Sequence, residues 1–536
     1  EGTLSSNATL VKRNVAGFSN IPYIIDALTI SSGAELTLEE GIIIKFRGSY
    51  FDGIYVQGGL SAIGTAGQKI IFTSFKDDSA GGDTNNDGNS SSPGNTDWDG
   101  IIYYPGADDG FNKLIYCELR YGGGGYGAPF GSGSSHGVVR IKDAYVEIDN
   151  CVFQQGNYSA IGVYGSANPD ITNCQIYNFN SFPVFMAMFS NPVFSGNTIA
   201  NIKYIAIGIQ DETYSQTGTI PQRDFAGYTN ITYMFYGATI NSGTTITIPA
   251  GTVFKSINRY GLVVNGELEI SGTSGNPVIF TDYRDDDYGN PADTEQNGSG
   301  STPTDNGSYI QFNDVSDDVS SVDYVLMRYT TNAIGLNSAS PSITNSTFNY
   351  LNYGINCSGV SEPVIDNNTF DDLYYSPIII SLVAYPASTS GNVISGTTYK
   401  CIRVASETLT QDVNLPKRSF GGVVNIPYFF TNYTIGTGVT LTIDPGVICK
   451  FWSAGYMTVN NGLIAEGLAT NEGNIVFTSI TDDFHGGDSN SDGTATSYGS
   501  TTWYEITVND VALDQLTRFE FCIYRQCTYS TGYEIK

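Results

Sequence analysis

The chain has 536 residues, with 53 Asp and Glu against 24 Lys and Arg, for a formal net charge of −29. That balance excludes nucleic acid and an anionic membrane surface as partners, since both call for a basic face. Apolar residues reach 40% and charged residues only 14%, too apolar for a disordered acidic tail and too long for one ordinary core, so a repetitive, quasi-one-dimensional fold is expected.

The chain opens at Glu1 without Met or a signal-like apolar segment, as expected of a processed secreted protein or an excised piece of one. No apolar run approaches the ~20 residues that span a bilayer. After an N-terminal segment, 1–14, shared landmarks divide the rest into long copies at 15–219, 220–414 and 415–536. The copies open on Asn20-Ile21-Pro22-Tyr23, Asn230-Ile231-Thr232-Tyr233 and Asn425-Ile426-Pro427-Tyr428. Each continues through a Gly-x-x-[Leu/Ile]-Thr-[Leu/Ile]-x-x-Gly stretch (Gly33 to Gly41, Gly243 to Gly251, Gly438 to Gly446) and a Lys (Lys45, Lys255, Lys450). A short strand follows, ending in Phe72-Thr73, Phe280-Thr281 or Phe477-Thr478. Self-similarity of this kind marks a repeat architecture.

An acidic loop follows that strand in every copy. It reads Gly81-Gly82-Asp83-Thr84-Asn85-Asn86-Asp87-Gly88 in the first and Gly486-Gly487-Asp488-Ser489-Asn490-Ser491-Asp492-Gly493 in the third, with the altered form Asp293-Thr294-Glu295-Gln296-Asn297-Gly298 between them. Oxygens at positions 1, 3 and 5 with Gly at 6 are what the first half of a calcium loop requires, because a hard cation needs oxygens converging from one tight turn. Candidate ligands are Asp83, Asn85, Asp87 and the Asn89 carbonyl, then Asp293, Glu295 and Asn297, then Asp488, Asn490 and Asp492. Position 12 is Gly94, Thr304 or Gly499 rather than Glu, so the loops are not EF-hands. The missing ligands are expected from flanking acids: Asp77 and Asp78, Asp286 and Asp287, Asp482 and Asp483. Such calcium would be structural.

Within the copies runs a period of 22 to 24 residues, marked by Asn150, Asn173 and Asn197, and by Asn345 and Asn367. Short Val, Ile, Phe and Tyr runs alternate with Gly, Asn, Ser and Pro turns and leave no room for helices. Such a period is one coil of a parallel β-helix, and the recurring Asn is expected to form a hydrogen-bonded ladder at its turn. Cys151 and Cys174 sit one coil apart, close enough for a disulfide to be weighed, while the other cysteines, Cys449 among them, read as small core residues.

These features resemble the right-handed parallel β-helix superfamily that includes pectate lyases, and more closely secreted bacterial surface and adhesin-like proteins. The resemblance implies an all-β solenoid with inserted loops and leaves lyases, hydrolases, adhesins and stalks open as functions. Polygalacturonase-like enzymes of this fold carry motifs matched in order by Asn95-Thr96-Asp97, Asp108-Asp109, His136-Gly137 and Arg140-Ile141-Lys142. The spacing argues against a site: Asp97 and Asp108 are half a coil apart, and His136 and Arg140 fall on one strand. Arg120 and Arg328 recur in matching strands, which suggests structure, and the 37 Tyr suggest inter-coil pairs or sugar-stacking surfaces.

The expected protein is therefore a secreted or cell-surface rod, stabilised by calcium, that serves as a stalk, adhesin or filament component. Its partners would be an extracellular surface, a glycan or another subunit. The third copy stops short of its full set of coils, so either the native protein continues or the fold ends on an open coil, which would call for a cap or end-to-end self-association. The alternative is a carbohydrate-active β-helix: a polysaccharide lyase, a glycosidase or a glycan-binding module.

Overall fold

The computed structural model describes residues 2–48, 51–124, 137–316, 318–496 and 502–528. Short strands separated by turns wind into about 19 coils of a parallel solenoid. One coil runs Ser159–Tyr164, Asp170–Thr172, Gln175–Phe179, and the next runs Val184–Met186, Val193–Ser195, Thr198–Ile202. Every strand pairs in parallel with its equivalent one coil away, building a 15-stranded sheet down one face and shorter sheets down the others.

Alternation within each short strand sends one side chain inward and the next outward, and stacking places inward residues above one another. Ile161, Val184, Ile207, Tyr233, Phe254 and Phe280 follow one another in register, each almost fully buried. Like residues on neighbouring coils stack: the rings of Phe254 and Phe280 lie 5.0 Å apart, and those of Phe348 and Phe370 5.1 Å apart. These distances approach the strand spacing itself, so flat rings stack in step with the coils.

The predicted Asn ladder exists, one residue away from where the recurring Asn placed it. Asn150, Asn173, Asn345 and Asn367 adopt positive φ of 51° to 58° at the turn, a conformation Asn tolerates better than most residues. The ladder is carried by the next, inward position. There the Asn197 amide accepts from Cys174 N–H at 3.0 Å and donates to Ile171 O at 2.7 Å, and Asn368 and Asn392 do the same further along. Cys117, Cys151 and Cys174 occupy this position on earlier coils as free, buried thiols bonded to main-chain carbonyls, so Cys151 and Cys174 form no disulfide.

Equivalent strands of the three long copies lie in different sheets. Ile70–Ser74 belongs to a seven-stranded sheet, Val278–Asp282 to the 15-stranded sheet and Ile475–Ser479 to the 14-stranded sheet. A long copy is therefore not a whole number of coils, and the loops that follow these strands leave the rod from different faces.

Candidate metal centres

Each acidic loop is held by two buried devices. The first is a lysine on the strand one coil before. Lys45 Nζ donates to Gly82 O at 2.8 Å and to Thr84 Oγ1. Lys255 Nζ donates to Asp285 O at 2.8 Å and to Ala292 O, and Lys450 Nζ donates to Asp482 O and Gly487 O, both at 2.8 Å. All three lysines are 0% exposed. Burial pulls Lys255 and Lys450 down to about 8, against nearby carboxylates that act the other way, and it lowers Lys45 as well.

The second device is the first acid after the Phe-Thr strand. Asp77 accepts from Thr73 Oγ1 at 2.6 Å, from Ser79 Oγ at 2.5 Å and from Arg120 at 3.2 Å. Asp285 does the same with Thr281 and Arg328, and Asp482 accepts from Thr478 at 2.8 Å with His485 at 3.0 Å and Arg525 at 3.7 Å. Burial alone would raise Asp77 and Asp482, but these hydrogen bonds and the arginine charges outweigh it and hold both carboxyls below the usual range. Asp77 and Asp482 are thus loop latches rather than the expected ion ligands, as is Asp285 in the second loop, and the arginines Arg120, Arg525 and Arg328 are their respective partners. Asp287 also departs from expectation: it pairs with Arg328 at 2.9 Å and its side chain is 69% exposed.

The second acid of each pair turns the other way. Asp78, Asp83 and Asp87 bring carboxylate oxygens within 4.8 Å of one another, and Asp483, Asp488 and Asp492 do the same. Oxygens bonded to one Ca²⁺ at ~2.4 Å can lie no more than ~4.8 Å apart, so both clusters have the right span. Three oxygens in each loop are buried without a hydrogen-bond partner: Oδ1 of Asp78, Asn85 and Asp87, and Oδ1 of Asp483, Asn490 and Asp492. Burial and the charges of Asp488 and Asp492 push Asp483 above the usual carboxylate range. Asp83 and Asp488 orient the turn by accepting two main-chain N–H groups each, from Asp87 and Gly88 and from Asp492 and Gly493. Asn89 is exposed just beyond the first loop's Gly88.

The second loop keeps the inventory and exchanges two of its members. In the first loop Asn85 Nδ2 and Ser91 Oγ donate to Asp87 Oδ2, and in the third Asn490 Nδ2 and Thr496 Oγ1 donate to Asp492 Oδ2. In the second, Asn297 Nδ2 and Ser301 Oγ donate to Glu295. Acid and amide have swapped places, so Asp286, Asp293, Glu295 and Asn297 again supply three carboxylates and one amide. Asp293 accepts from Asn297 N–H and Gly298 N–H as its counterparts do, and the Asp286 carboxyl, with Oδ1 buried and unpartnered, is raised by burial and by Asp293. Asp285 is the true counterpart of Asp77, which explains why the expected pair Asp286 and Asp287 was out of step by one.

The residues that matched the polygalacturonase order do not converge. Asp97 accepts from Ser74 Oγ at 2.6 Å and Lys76 at 3.2 Å ahead of strand Gly100–Tyr103, whereas Asp108 and Asp109 follow that strand and accept from Gly110 N–H and Tyr145 N–H. Four extended residues, roughly 13 Å, separate the two groups. Arg140 is buried in an ion pair with Asp99, while His136 and Gly499 lie outside the described residues.

The family described as "right handed beta helix region" matches residues 99–272, which with the parallel stacking gives a right-handed parallel β-helix. No curated protein and no solved structure matches the chain.

Proposed function

We propose that the protein is a calcium-stabilised β-helical rod that works outside the cell or at its surface as a stalk, adhesin or filament component. The observation that carries the reading is that the first and third loops each bring three carboxylates together beside an amide, with three buried oxygens that lack protein partners, while the second loop repeats the three-carboxylate, one-amide inventory around the buried, unpartnered Asp286 Oδ1. A cation supplies the missing partner and neutralises the repulsion of closing such a loop onto the coil stack. Extracellular modules bind calcium at 10⁻⁴ to 10⁻³ M, about the level at which a structural ion outside the cell stays bound. The rod would then present side chains to an extracellular surface, a glycan or another subunit.

A second reading, glycan binding, is favoured by an aromatic ladder on the outer wall. Tyr353, Tyr375 and Tyr399 stack at 4.8 and 6.3 Å with the Arg403 guanidinium over Tyr353 and Tyr375. A melt in calcium and in EDTA tests the main reading: the chelator is expected to lower the melting temperature, because a ligand bound only by the folded chain stabilises it. An unchanged midpoint removes calcium from all three loops.

A further inference from the structure

We infer that the second and third loops are ion-controlled staples, each fastening a long copy to the coil that closes the copy before it. The inference rests on the calcium reading of these loops. Thr294 lies between the cluster residues Asp293 and Glu295, and Ser489 between Asp488 and Asn490. Their main-chain carbonyls accept Ile205 N–H at 2.7 Å and Lys400 N–H at 2.9 Å. Two residues further on, Gln296 Nε2 donates to Ile202 O and Ser491 Oγ to Thr397 O, each bond bridging 94 residues of sequence.

The reach is the same in both cases. Ile205 precedes strand Ile207–Ile209, which is followed in its sheet by Tyr233–Phe235, Val253–Ser256 and Val278–Asp282, the strand that launches the second loop. Lys400 precedes Ile402–Val404, followed by Tyr428–Ile435, Ile448–Val459 and Ile475–Ser479, which launches the third. Each loop therefore steps back over three strand spacings, roughly 14 Å, along the rod. At the middle of the span Lys255 and Lys450 hold the hydroxyls of Thr294 at 3.4 Å and Ser489 at 2.7 Å. Thr294 and Ser489 are 0% and 1% exposed.

Docking and ion binding thus share one tripeptide. The carbonyl that meets the previous copy sits between two side chains that face the cluster, so an ion that fixes Asp488, Asn490 and Asp492 also fixes Ser489 O. Without the ion, three converging carboxylates repel and the tripeptide loses its reason to hold that shape. The first loop supplies an internal comparison, since its matching Thr84 is half-buried and Asn86 exposed.

Hydrogen–deuterium exchange of the full chain, with calcium binding measured calorimetrically on the same samples, tests the staple. Removing calcium with EDTA is expected to speed exchange ~10-fold or more in windows 202–206 and 397–401 while strand Ser159–Tyr164 keeps its protection. Asp488→Asn should speed only the later window and Asp293→Asn only the earlier one. Ser491→Ala, which removes a docking hydroxyl but no cluster oxygen, should speed window 397–401 in calcium with binding stoichiometry unchanged. Calcium binding with both windows unaltered overturns the staple and leaves the calcium reading intact. Acceleration spread evenly over Ser159–Tyr164 as well also overturns it. No binding at all removes both.

Discussion

Replacing Asp492 by Asn separates an ion ligand from an ordinary hydrogen-bond acceptor, because the two roles have different consequences in calcium and in chelator. The carboxylate has one buried oxygen without a partner and another that accepts from Asn490 Nδ2 at 2.7 Å and Thr496 Oγ1 at 2.5 Å. A site kept at free calcium 100 times its Kd adds ~2.7 kcal/mol to the folded state. Removing one of three carboxylates, taken as a ~100-fold loss of affinity, leaves ~0.4 kcal/mol at the same calcium level. In EDTA the variant forfeits the Asn490 bond, ~1 kcal/mol, but relieves the repulsion that helps push Asp483 above its usual range. The expected result is a variant ~2 kcal/mol less stable than the parent in calcium and within ~1 kcal/mol of it in EDTA. Trp503 reports the transition, being buried against Phe451 at 4.4 Å with its indole N–H on Arg525 O at 2.7 Å. The same loss of stability in both conditions would refute the ion and leave only a hydrogen bond.

Other outcomes follow from the same geometry. Glu295→Gln should abolish binding at the second loop, while Glu295→Asn combined with Asn297→Asp, which restores the order of the first loop, should keep it; calorimetric stoichiometry decides. Lys255 titrates at about 8 in the folded chain against 10.5 ordinarily, so between those values the unfolded chain holds more protons and stability rises with pH. The advantage of the parent over Lys255→Met, measured in denaturant at constant calcium, should therefore grow from pH 8 to 10, and a flat difference contradicts the burial argument. A thiol reagent should modify the half-buried Cys522 and Cys527 ahead of the buried Cys117, Cys151 and Cys174, and unfolding in denaturant should release all eight thiols. Fewer than eight would mean a disulfide.

Much of the architecture was legible because it is written in local chemistry. Turn residues recur every 22 to 24 positions, inward residues are apolar, and the acid loops carry their own ligand spacing. Phase is what local chemistry leaves open. Asn197 looked like another Asn173, yet it aligns with Cys174 and points inward, and nothing in composition distinguishes the two. Asp77 and Asp78 are chemically identical neighbours in the turn after strand Ile70–Ser74, and only the path of that turn sends one to Arg120 and the other to the cluster. The swap of Glu295 and Asn297 makes the second loop read as an altered form, although its count of carboxylates matches the others.

A repetitive β-fold, three loops rich in oxygen ligands and an interior of stackable apolar residues each depend on residues close together in the chain, and so are readable from their order alone. Tertiary structure decided which acids converge, which lysine buries beneath each loop and which earlier coil each loop touches. It also decided that the loops leave from different faces of the rod. These outcomes depend on the number of coils between copies and on how neighbouring coils stack, a sum over many turns that no single motif carries.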